Sequence, residues 1–193
     1  MRLATLVSAA AVAVLAVTST PGSAQVAQDV PEKKEGYGAA INFATEAGNS
    51  DLFKVEASQL ALERAQRPDV KGFARQLIDF HVSATRDLIA KSRQAGAAVP
   101  EQLDVEHSAR LEKLSAARGP EFDRAYLDFQ LAAHRESVRL LEEYALKGGD
   151  PGLKQFATRS LPVVERHRQR LVELAAATTT GTAGNGPGAV EPN

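Results

Sequence analysis

Residues 70–92 read VKGFARQLIDFHVSATRDLIAKS, and the apolar positions fall at Val70, Phe73, Ala74, Leu77, Ala84 and Leu88. The spacings alternate between three and four, which is the period of a helix with one buried face. His81 interrupts the chemistry of that face without interrupting its spacing. Pro68 and Asp69 open the helix with a pre-set φ and a first-turn carboxylate, and Gly96 closes it.

The same period extends in both directions. Upstream, Ile41, Phe43, Ala44, Phe53, Leu60 and Ala61 predict a helix from Tyr37 to about Gln66, which Gly48-Asn49-Ser50 is expected to break or bend. Downstream, residues 97–119 form a connection too long to lack structure of its own, so a short helix is expected around Asp104 to Ala117. Gly119-Pro120 then starts a third long helix with two adjacent apolar rows, running to about Lys147. Gly148-Gly149-Asp150-Pro151 stops and restarts the chain. The last helix carries Leu153, Phe156, Ser160, Val164, His167, Leu171 and Leu174 to about Ala177, and Pro162 within it predicts a kink. Four long helices with a long second connection make an all-α four-helix bundle with a crossover. Whether the second and third long helices run in the same direction is left open by the sequence.

The two ends read differently. Residues 1–24 have a basic start at Arg2, an apolar run from Leu3 to Val17 and small residues at Gly22-Ser23-Ala24, the pattern of a cleaved secretory signal peptide. Residues 25–36 are polar and aperiodic, a flexible spacer before the bundle domain at 37–177. Residues 178–193, rich in Gly and Thr, are expected to be a disordered tail. The expected product is therefore periplasmic or secreted, with no integral membrane span once the signal is removed. It has no cysteine, so its stability rests on its core alone. A net charge of −1 supplies no basic footprint for nucleic acid.

Polar residues on the buried stripes are the candidate site. Glu56 lies 12 residues before Pro68 and His81 lies 13 after it, so an antiparallel pair places them at one level. His134 lies 14 before Gly148 and His167 lies 16 after Pro151, a mismatch of only about 3 Å at the helical rise. A layer of Glu56, His81, His134 and His167 is a plausible shell for one transition-metal ion, zinc, iron, manganese or copper. Asp79, Glu63, Gln59, Glu136 and Glu165 are near enough in sequence to support the rings. A hydrogen-bonded core layer without metal is the alternative.

The stretches FATEAGNSDLFKVEASQLALERAQRPDVKGFARQLIDFH, EFDRAYLDFQLAAH and DPGLKQFATRSLPVVERH resemble the exported bacterial family called domain of unknown function 4142, from about Ile41 to Leu174. The resemblance implies export and a ferritin-like four-helix bundle, and its polar landmarks fall on Glu56, His81, His134 and His167. It implies no reaction. The family often has an acid immediately before its second- and third-helix histidines, where this chain has Phe80 and Ala133. Three residues before the three histidines stand Ile78, Leu131 and Val164, so the Glu-x-x-His pairs of di-iron proteins are missing. The expected role is a non-catalytic binding or envelope-stress protein with a His/Glu metal site, with an envelope protein as a possible partner. A metal-dependent oxidoreductase and a metal-free structural interaction protein are the alternatives.

Overall fold

The computed structural model describes residues 29–182; the signal-like segment and most of the tail lie outside them. The described residues form five helices and no strand: α1 (Asp29–Arg64), α2 (Pro68–Gln94), α3 (Val105–Ala116), α4 (Pro120–Lys147) and α5 (Pro151–Thr182). α1 begins eight residues before the first apolar period, within the expected spacer. Helix-compatible Glu and Lys fill that stretch, and Pro31 sits in the first turn, where no intrahelical partner for its nitrogen is missed. α5 likewise continues through Pro162 and past Ala177 to Thr182.

α1 packs against α2 and α4, and α5 against the same two, while α3 lies over α1 and α4. Contacts fix the directions. Ser50 meets Ser137 and Ser58 meets Tyr126, so numbering rises along α1 as it falls along α4. Phe73 meets His167 and Lys91 meets Gln155, so α2 and α5 are antiparallel too. The short turn at 65–67 reverses α1 into α2, which makes α2 and α4 parallel across the bundle diagonal.

The joints follow from local chemistry. At the end of α2, Gly96 takes φ +74°, and the Gly96 and Ala97 amides donate back to the Arg93 and Ser92 carbonyls. Asp104 caps α3 by accepting from the His107 amide, and Asp150 caps α5 by accepting from the Leu153 amide. The α1–α2 turn is held from outside its own hairpin. Asp123 of α4, buried, accepts from the Gln66 and Arg67 amides, each at 2.9 Å.

Gly48-Asn49-Ser50 neither breaks nor bends α1 out of helix; all three are buried. The crossover passes so close that a Cβ on Gly48 would lie 2.6 Å from Val99 Cγ1 and 2.9 Å from Pro100 Cδ. Asn49 Oδ1 accepts from the Asp104 amide at 3.0 Å. Weak helix formers are used here because the returning chain needs the room and the hydrogen bond.

Two apolar cores result. One gathers Phe53, Val70, Phe73, Leu77, Phe122, Tyr126, Leu171 and Leu174 beside the α1–α2 turn. The other gathers Phe43, Leu88, Leu141, Tyr144, Leu153 and Phe156 toward the α4–α5 turn. Between them lies a polar layer.

Candidate metal centre

Three long helices each aim one imidazole into that layer. His81 and His134 are fully buried and His167 is partly so, and one ring nitrogen from each lies within 4.8 Å of the others. His81 Nε2 and His134 Nε2 are 3.4 Å apart. The Phe80 ring packs edge-on to both His81 and His167, and Phe73 edge-on to His167, which walls the group with apolar surface.

The remaining nitrogens decide the protonation. His134 Nδ1 donates to the Gln130 carbonyl at 2.8 Å, which leaves Nε2 of the neutral ring with its lone pair. His81 Nδ1 lies 2.8 Å from Asp51 Oδ1 and donates to that carboxylate, again leaving Nε2 as the lone-pair nitrogen. Burial pulls the His81 pKa down from its ordinary value, against the attraction of Asp51. Burial also holds His134 well below the usual imidazole range, with the Lys54 charge adding to it, and lowers His167 to about 4. All three rings are therefore neutral near pH 7. His167 Nδ1 is buried without a hydrogen-bond partner among the described residues.

Two lone pairs facing each other at 3.4 Å constitute an unmet requirement. A bridging water that donates one hydrogen to each nitrogen would set them about 4.5 Å apart, given ordinary hydrogen-bond lengths. Two ligands each about 2.0–2.1 Å from one ion, at tetrahedral or trigonal angles, stand about 3.3–3.6 Å apart. The observed spacing suits a shared cation.

Asp51 is the anchor of this arrangement. Its Oδ1 receives His81 Nδ1 and also Lys54 Nζ at 3.3 Å. Lys54, only 1% exposed, donates further to Ser137 Oγ at 2.6 Å, and Ser137 meets Ser50 Oγ at 3.0 Å. Burial works to raise the Asp51 pKa, but the Lys54 charge, the His81 charge once that ring is protonated in acid, and the hydrogen bonds from both outweigh it and hold the carboxyl below its ordinary value. A cavity of about 20 Å³ lined by Asp51, Lys54, Ser137 and Ser160 adjoins the pair, room for one water. Gln130 continues the polar column by donating to the Lys54 carbonyl and to Ser58 Oγ, which meets Tyr126 OH.

Of the four residues expected from the sequence, the structure brings together the three histidines and leaves Glu56 out. Glu56 is half-buried and outside the converging group. It stands five residues beyond Asp51, the α1 residue that meets His81, which is about 7.5 Å along the axis, and it is turned about 200° from Lys54 by the helical repeat. The supporting carboxylate is Asp51, while Asp79, Glu63, Gln59 and Glu165 are exposed and Glu136 pairs with Arg110. The missed residues had a signal. Ala47, Asp51, Lys54, Ser58, Ala61 and Ala65 repeat at four and three along one stripe, with two charges in a run of small residues.

Three histidines on an all-helical bundle, two of them fully buried and one backed by a carboxylate, form a group that could hold a metal ion. The chain belongs to the family described as Domain of unknown function (DUF4142), which it matches over residues 24–174. No curated protein and no solved structure matches it.

Proposed function

We propose that this is an exported, non-catalytic binding protein of the ferritin-like bundle class that holds one transition-metal ion on His81, His134 and His167. The observation that carries the reading is the 3.4 Å approach of His81 Nε2 to His134 Nε2 while each Nδ1 is committed, to Asp51 and to the Gln130 carbonyl. Carboxylate–histidine pairing of this kind orients a ring and strengthens it as a ligand. Ile78, Leu131 and Val164 stand where di-iron oxidases carry glutamates, which favours binding over oxygen chemistry. The antiparallel neighbours and the crossover carrying α3 support the ferritin-like placement. Export rests on the signal-like pattern of residues 1–24.

Metal analysis of protein purified without an affinity tag tests the site. The expected result is near one equivalent of a transition metal, lost in a His81→Ala, His167→Ala double variant. Metal-free protein whose unfolding midpoint is unchanged by added zinc, copper, iron or manganese would end the proposal. Export is tested by the mass of the mature chain in the periplasmic fraction, expected to begin at Gln25.

A further inference from the structure

The geometry points to a site matched to a univalent cation, copper(I), with Lys54 as the residue that sets this preference. The inference rests on the metal reading above and adds the charge of the ion.

Two observations lead to it. The first is the ligand set. Among the described residues, the three histidines converge with no carboxylate joining them. Structural zinc sites are almost always closed by four protein ligands and three-histidine zinc sites add a water; imidazole also suits copper, and copper(I) is stable with three ligands and no fourth. His81 and His134 are fully enclosed, and Phe73 and Phe80 pack on His167, so an extra hydroxide or buffer anion would have to be buried with a divalent ion.

The second observation is the charge balance. Asp51 is the anion behind His81, and Lys54 shares the same carboxylate oxygen. The pair is electrically neutral, so it does not offset the charge of an ion held on the rings. Lys54 Nζ lies 3.3 Å from the Asp51 oxygen that receives His81 Nδ1, so its positive charge repels a cation arriving at that ring. The same repulsion acts on a metal ion and doubles when the ion's charge doubles. A buried lysine two contacts from the ligands therefore penalises a divalent ion more than a univalent one. Tuning this near the rings requires a fixed cation rather than a mobile surface lysine, and Lys54 is fixed by Asp51 and Ser137; burial pulls its pKa down, and the Asp51 carboxylate opposes that loss of the proton.

The test is an anaerobic competition on the untagged full chain between copper(I) and cobalt(II), each buffered by a chelator of known affinity. Wild type is expected to take up one equivalent of copper(I) and to release cobalt(II) to it. In Lys54→Leu, cobalt(II) affinity should rise relative to copper(I) by roughly tenfold or more, the effect of removing one nearby charge. Lys54→Gln serves the same comparison should the leucine variant fail to fold, and the wild-type competition needs no variant. Retention of cobalt(II) by wild type against equimolar copper(I), or a ratio within twofold of wild type in the folded Lys54 variant, overturns the inference and leaves metal binding standing. Binding of neither ion overturns both.

Discussion

His81 and His107 each bring Nδ1 to 2.8 Å from an aspartate Oδ1, yet the two pairs sit in different surroundings. Asp104 is 44% exposed and spends the same oxygen on capping α3, where it accepts from the His107 amide. Asp51 is 10% exposed, caps nothing, and serves two side chains, His81 and Lys54. Distance is the same in both places. Burial and the number of dependants separate them. Water can replace Asp104, whereas among the described residues Asp51 is the carboxylate bonded to both His81 and Lys54, with Glu136 acting on Lys54 from further away. A histidine–aspartate contact becomes chemically consequential when solvent cannot take over either partner.

The contrast can be broken most sharply at the carboxylates. Asp51→Ala leaves a buried ammonium and a buried ring nitrogen without their acceptor, and should lower stability by about 3–5 kcal/mol in urea unfolding. A loss under about 1 kcal/mol would mean that the layer is not held as described.

Acidification probes the same layer without mutation. In the unfolded chain imidazoles take up protons near pH 6.5. In the folded chain burial delays this for His81, His134 and His167, the last to about 4. Below pH 6.5 the unfolded state therefore binds more protons, so the stability contributed by the neutral rings is complete above that value and is lost as pH falls toward 4. The urea midpoint, followed from pH 7.5 to 4.5, should hold level and then drop. An unchanging midpoint through pH 4.5 contradicts neutral buried rings.

Asp104→Ala is expected to cost only about 1 kcal/mol, the ordinary value of a helix cap, and to leave metal stoichiometry untouched. If it matches the Asp51 variant, exposure is not what distinguishes the pairs. Glu56→Ala should do least, within about 0.5 kcal/mol in stability and with no change in metal content. Loss of metal there would return Glu56 to the site.

How much of this was legible depended on the kind of information a sequence carries. His81, His134 and His167 stood out because each occupies an apolar stripe, and counting residues from the turns put them at one height. Counting levels could not choose among acids on α1. Near-equal counts from the turn set Glu56 opposite His81, but the contact is made by Asp51, about 7.5 Å back along α1, on the stripe it shares with Lys54. Charges on a stripe are ordinarily read as solvent-facing, and their mutual neutralisation becomes visible only when Ser137 of α4 closes over them. Gly48 misled for a related reason. Read alone, a glycine followed by asparagine weakens a helix, while the contact that explains it comes from Val99 and Pro100, some fifty residues later. The apolar period determines which helices form; long-range polar partners determine what sits between them.

Asp123 carries a consequence for biosynthesis. Because its carboxylate, delivered by α4, receives the Gln66 and Arg67 amides, the first hairpin leaves a ribosome with its bend unfinished. A nascent chain halted before the EFDRAY segment would hold α1 and α2 in loose association, and the bend would lock only when residue 123 arrived. Severing the polypeptide within the crossover should thus yield two pieces that each remain incomplete in isolation and regain order on mixing.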